Sequence, residues 1–141
     1  MIKYTYGNNN TRNRSIGKEF WGGKFLLIED MRKQVYGMWA PPHGCCEDID
    51  KTEKDGVIRE VYEKVGLRIT PIEKVLTQKA DTTVKTVSFW TVEYGENQII
   101  HIDDKKLSNY GWFTIDESLE HKLYPGTRIF FEKVQSGEVI L

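Results

Sequence analysis

Residues 44–67 read GCCEDIDKTEKDGVIREVYEKVGL, and no other stretch limits so narrowly what this chain can become. Thr52, followed three residues later by Asp55, has the form of a capping box, in which hydroxyl and carboxylate each satisfy a backbone N–H at a helix start. Glu53 and Asp55 put negative charge in the first turn and Lys64 puts positive charge in the last, both favourable with the helix dipole. Gly66 supplies a left-handed C-terminal cap. Between these ends Val57, Ile58, Val61, Tyr62 and Val65 recur at spacings of three and four, one arc of about 140° that is expected to face a core.

The opposite side of this helix carries Arg59, Glu60 and Glu63, with Gly56 leaving room beside the two glutamates. Glu60 and Glu63, one turn apart, can reach a common point, and two hard carboxylates beside irregular backbone suit Mg²⁺ or Mn²⁺. A second reading, a salt-bridged solvated face, has its own physical support and is favoured by spacing alone. Glu60 with Lys64, and Arg59 with Glu63, are i,i+4 pairs that each stabilise a helix by roughly 0.2–0.5 kcal/mol, so a salt-bridged solvated face explains every charge. Both readings stay open.

Along the rest of the chain, residues 2–6 suggest a short first strand, and the Gly- and Asn-rich residues 7–14 a turn. Residues 15–30 suggest a hairpin turning at Gly22 and Gly23, with the unbroken run Phe25, Leu26, Leu27, Ile28 buried on both faces. Trp39, Ala40, Pro41 and Pro42 are expected to halt regular structure and lead stiffly into a loop at Gly44. Residues 69–78 and 84–94 suggest an antiparallel pair, and residues 95–106 a loop with a frayed strand at Ile99 and Ile100. Residues 109–114 suggest another strand, Asp116 and Glu117 open a brief helix that Pro125 ends, and residues 126–135 suggest a last helix with Ile129, Phe130 and Val134 on its apolar face.

At 141 residues this is expected to be one domain, residues 1–141, able to bury roughly two thirds of its unfolded surface. A net charge of −1 offers no bulk attraction to nucleic acid or to a membrane, so any phosphate binding must be local. The two cysteines, Cys45 and Cys46, are adjacent, which disfavours a disulfide, and without further ligands at zinc spacing they are expected to pack in the loop. With no signal-like N-terminus and no apolar run of about 20 residues, a soluble, cytoplasmic protein is expected; a homodimer is compatible with the sequence.

The helix resembles the second half of the Nudix box: Arg59, Glu60, Val61, Glu63, Gly66 and Leu67 stand at the motif's defined positions. Trp39, Ala40, Pro41, Pro42, His43 and Gly44 are similar to the segment that leads into the box, and Gly111 to Glu117 are similar to the segment before the family's last helices. The resemblance to Nudix hydrolases implies an α/β/α sandwich with a mixed β-sheet. It also implies divalent-metal-dependent hydrolysis of a nucleoside diphosphate linked to another group. Arg59, Glu60 and Glu63 take the catalytic roles by position, with Glu60, Glu63 and Glu47 as candidate metal ligands; apart from the motif, His43 and Gly44 beside the site, and Lys64 as a point charge, are candidate substrate contacts.

Three departures bear on that expectation. The spacing from Gly44 to Arg59 is one residue longer than the motif, so the first box glutamate falls at Asp50 or Lys51. His43 replaces a glycine. Lys64 stands where the family has a metal-ligand glutamate, and an ammonium within about 4–6 Å competes with a cation for Glu60 and Glu63. The alternative is therefore a catalytically impaired Nudix-fold nucleotide-binding or regulatory protein. Asp103, Asp104 and, less strongly, Glu93 are candidates for a further carboxylate, against the alternative of a solvated turn. Trp21, Trp39, Trp90, Trp112 and Tyr110 include potential base-stacking surfaces, though most such aromatics belong to a core.

Overall fold

The computed structural model describes residues 2–8, 24–79, 86–95 and 97–141. In chain order its elements are β1 (Ile2–Asn8), β2 (Phe25–Asp30), β3 (Trp39–Ala40), β4 (His43–Cys45), α1 (Glu53–Val65), β5 (Ile69–Lys79), β6 (Thr86–Tyr94), β7 (Leu107–Phe113), α2 (Ile115–Leu119) and α3 (Pro125–Gln135), with a 3-10 turn at Lys33–Val35. They form a four-stranded sheet, β4-β1-β6-β5, and a three-stranded sheet, β3-β2-β7. The first is mixed, because β1 runs parallel to β6 while β4 and β5 run antiparallel to their neighbours.

The apolar run in β2 is explained by its position between two cores. Phe25 and Leu27 point into a cluster with Val87, Phe89, Phe130 and Phe131 beneath α3, where Phe89 and Phe130 stack at 4.1 Å. Leu26 and Ile28 point the other way, into a cluster with Val57, Val61, Val65, Trp90 and Val92 beneath α1. A strand with helices over both faces needs apolar side chains at every position rather than alternating ones. The layers are helix, sheets, helix, as the resemblance implies. Pro71 lies in β5, the edge of its sheet, where a missing ladder donor is tolerated.

The ends of α1 follow local chemistry. Thr52 and Asp55 exchange both bonds of a capping box, and Gly66 closes the helix at φ 73°. Beyond the first cap, Glu53 accepts from the Trp90 indole at 3.0 Å and pairs with Lys74 at 3.1 Å, tying the helix start to β5 and β6.

Several expectations are corrected. Trp39 and Ala40 do not halt regular structure: they pair with Glu29 and Ile28 as β3. The segment at Gly44 is no irregular loop but β4, in register with β1. Ile58 and Tyr62 are exposed, at 40% and 51%, whereas Gly56, Glu60 and Lys64 are buried, so the inward face of α1 is rotated from its apolar arc. Ile99 and Ile100 form no strand. The helix opened by Asp116 ends at Leu119, and Pro125 starts α3 instead, as proline can at the first helical position. In α3 it is Phe130 and Phe131 that are buried, with Ile129 40% exposed. Cys45 is exposed rather than packed. The Gly22–Gly23 turn and Trp21 lie outside the described residues.

Candidate active site

β4 and α1 meet at the Glu60 carboxylate. A Cβ built on Gly44 would lie 1.9 Å from both the Glu60 carboxyl carbon and its Oε2, so this side chain rests directly on the glycine backbone. The contact exists because β1 holds β4 in extended register while Thr52 fixes where the helix begins.

Arg59 gathers the remaining groups. Its Nε and Nη2 donate to the two Asp50 oxygens, each at 2.9 Å, and Nη2 also donates to the Cys45 carbonyl at 2.9 Å. Its Nη1 lies 2.9 Å from Glu60, 3.0 Å from Glu63 and 3.6 Å from Glu47. The Asp50 bond, joined by the charge of Glu60, outweighs partial burial and pushes the guanidinium pKa upward. Asp50 also accepts from the Glu47 backbone N–H at 2.8 Å, so the loop preceding α1 is built around the arginine. Of the two residues at the displaced position, Asp50 faces the helix. Its signal in the sequence is its distance from Gly44, counted forward.

Both i,i+4 pairs are present, in different settings. Arg59–Glu63 is partly exposed, the glutamate at 49%. Lys64–Glu60, at 3.3 Å between Nζ and Oε2, is buried, with both side chains at 7% exposure. The solvated-face reading therefore describes one pair and misses the other.

His43 lies 5% exposed, its Nδ1 hydrogen-bonded to the Pro41 carbonyl at 2.9 Å and its ring edge-on to Tyr124 at 4.9 Å. Burial pushes its pKa down to about 4. Tyr124 in turn donates to the buried Asp30 at 2.7 Å, which Arg32 also holds. Asp103 donates its backbone N–H to the Lys64 carbonyl and accepts from the Lys105 N–H with its side chain, the geometry of a turn; Asp104 is exposed. Among the aromatics, Trp90 is buried, and Trp112 stacks on Tyr94 at 6.2 Å beside a cavity of about 10 Å³. That volume holds about one water and no nucleobase.

The donor set has the hard oxygen chemistry of an Mg²⁺ or Mn²⁺ site, since three carboxylates surround one nitrogen of Arg59. Among the described residues no three acidic, His or Cys side chains already stand at ligand spacing. Glu63 and Glu47 are exposed enough to swing into such a site.

The sequence profile of the NUDIX domain matches residues 18–134. The chain belongs to the NUDIX family. Solved structures agree with this Nudix fold. The MutT protein from Methanosarcina mazei Go1 superposes with a TM-score of 0.71 at 22% identity, over 97% of this chain and 93% of that one. An Ap4A hydrolase binary complex from C. elegans superposes with a TM-score of 0.70 at 16% identity, over 98% of each chain. The NUDIX domain of Shewanella oneidensis NrtR, complexed with ADP ribose, superposes with a TM-score of 0.66 at 15% identity, over 97% and 86%. No curated protein matches this Nudix sequence. Among the described residues no helix is long and apolar enough to cross a membrane.

Proposed function

We propose that this Nudix protein is a hydrolase that cleaves a phosphoanhydride bond in a nucleoside diphosphate linked to another group, using Mg²⁺ or Mn²⁺. The observation that carries the reading is the convergence of Glu60, Glu63 and Glu47 on Arg59 Nη1, with Gly44 packed against Glu60. Arg59 holds Glu60 in place, and Glu63 and Glu47, both exposed, are the residues that would hold the metal. The metal, when bound, neutralises phosphate charge and lowers the pKa of a water. Hydrolysis would break the anhydride P–O bond as a water adds to phosphorus, with the electron pair going to the departing phosphate oxygen, and Glu63, exposed at the edge of the cluster, would hold the metal or take the proton of that water. Gly44 contributes the backbone on which the Glu60 carboxylate rests. His43, buried with its ring edge-on to Tyr124, supports this strand.

The second reading, a nucleotide-binding protein with impaired catalysis, is favoured by the buried Lys64–Glu60 pair. Product analysis over a panel of nucleoside diphosphate derivatives, with Mg²⁺ or Mn²⁺, separates the two. Metal-dependent turnover by the natural sequence supports the hydrolase. Thermal stabilisation by nucleotide without turnover, with turnover appearing only in Lys64→Glu, supports the binding protein. A cytoplasmic setting and a small-molecule nucleotide as the partner accompany either reading.

A further inference from the structure

Both oxygens of Glu60 are occupied by cations of the chain itself: Arg59 Nη1 lies 2.9 Å from Oε1 and Lys64 Nζ lies 3.3 Å from Oε2. The carboxylate cannot retreat from Lys64 toward β4, because Gly44 already touches it. Lys64 is itself held from behind, its carbonyl accepting the Asp103 N–H at 3.0 Å, and its side chain has little solvent to enter. An ammonium on a flexible stem ordinarily turns outward to water. Here it is buried against a single carboxylate.

Asp50, Glu47, Glu60 and Glu63 with Arg59 and Lys64 make four carboxylates against two cations, a net charge of −2. A glutamate at position 64 would make that −4. We infer that Lys64 is a built-in counter-cation that withdraws Glu60 from free divalent metal. The protein alone then has no tight metal site, and the metal arrives already bound to the phosphates of its nucleotide, met by Glu63 and Glu47. This rests on the hydrolase reading only for the nucleotide step; the effect of Lys64 on metal binding without nucleotide does not depend on turnover. A buried ion pair that loses one partner leaves an uncompensated charge, which a metal can then satisfy.

The test is Mn²⁺ binding to the full chain, followed by the Mn²⁺ electron paramagnetic resonance signal and by calorimetry, in the natural sequence, Lys64→Gln and Lys64→Glu. Lys64→Gln, uncharged and of the same shape as the glutamate, keeps the test open if the glutamate does not fold. Without nucleotide, the natural sequence is expected to bind Mn²⁺ only weakly. Affinity is expected to rise on the order of tenfold in Lys64→Gln and a further order of tenfold in Lys64→Glu, as each unit of positive charge is removed. With a non-hydrolysable α,β-methylene nucleoside diphosphate added, the natural sequence is expected to retain Mn²⁺. Equal affinity for free Mn²⁺ in all three proteins, or no gain in either variant, overturns the inference. Failure to retain Mn²⁺ with the nucleotide analogue, alongside a gain in the variants, counts against the hydrolase reading and leaves the role of Lys64 in place.

Discussion

Gly44 and Glu60 are in direct contact: any side chain at 44 would occupy the space where the Glu60 carboxylate lies. The strand and the helix that supply them are joined through this glycine, and its backbone is the floor of the site. Gly44→Ala is expected to push the carboxylate off Arg59 and Lys64. The far end of a glutamate yields more readily than backbone, so the loss falls on site geometry more than on the fold. Activity should drop at least about tenfold, with about 1 kcal/mol of stability lost, read from steady-state kinetics and chemical denaturation.

Arg59 is the group on which Asp50, the Cys45 carbonyl, Glu60 and Glu63 all depend. Arg59→Lys keeps the charge and loses the planar fork that grips both Asp50 oxygens. The expected result is a fall in kcat of about ten- to a hundredfold, with about 1–3 kcal/mol of stability lost as the two bonds from the guanidinium to Asp50 are broken. Retention of full kcat would show that the arginine does not position Glu60.

The rotated inward face of α1 predicts a contrast between neighbours. Val61, at 2% exposure, is expected to cost about 2 kcal/mol on replacement by alanine, whereas Tyr62→Ala, at 51% exposure, should change stability by about 0.5 kcal/mol or less. Tyr62 faces the Arg68 guanidinium at 5.4 Å, a surface contact consistent with a small effect. Urea denaturation of the two variants decides the orientation.

The burial that lowers the His43 pKa to about 4 makes stability depend on pH. Unfolded, the imidazole takes a proton near its ordinary value of 6.5; folded, it resists until about 4. The unfolded state therefore binds more protons between those values, and stability is full above pH 6.5 and falls as pH drops toward 4. The loss over that window is about 3 kcal/mol. His43→Gln should flatten this limb, and nuclear magnetic resonance of the imidazole in the natural protein should show a neutral ring well below pH 6.

The features of α1 that act over a few residues are legible in the sequence. Thr52, Asp55 and Gly66 do their work on backbone atoms one turn away, so the helix start and stop can be read locally. The arc through Ile58 and Tyr62 misleads because β4, by packing Gly44 against Glu60, turns the helix so that Glu60 and Lys64 face inward. β4 itself has no strand signature in His43, Gly44 and Cys45; it forms because β1, some forty residues earlier, offers an open edge. Pro125 shows the same limit on a smaller scale, since a proline before an apolar stretch can end one helix or begin another. Within the site, Arg59, Glu60 and Glu63 are legible from the motif they share with the Nudix family. The bond from Arg59 to Asp50 is not, because it crosses a loop one residue longer than the pattern.

In the proposed hydrolysis Glu63 and Glu60 serve a metal-dependent step. The most direct measurement is phosphate-containing product formed from the nucleoside diphosphate panel by the natural sequence and by Glu63→Gln, each with and without Mg²⁺ or Mn²⁺. Glu63 is 49% exposed, so its replacement leaves the fold intact and isolates the chemistry. Turnover is expected only with metal, with a loss of at least about a hundredfold in Glu63→Gln. Turnover that persists in Glu63→Gln, or that proceeds equally with the metal chelated, would contradict the proposed hydrolysis.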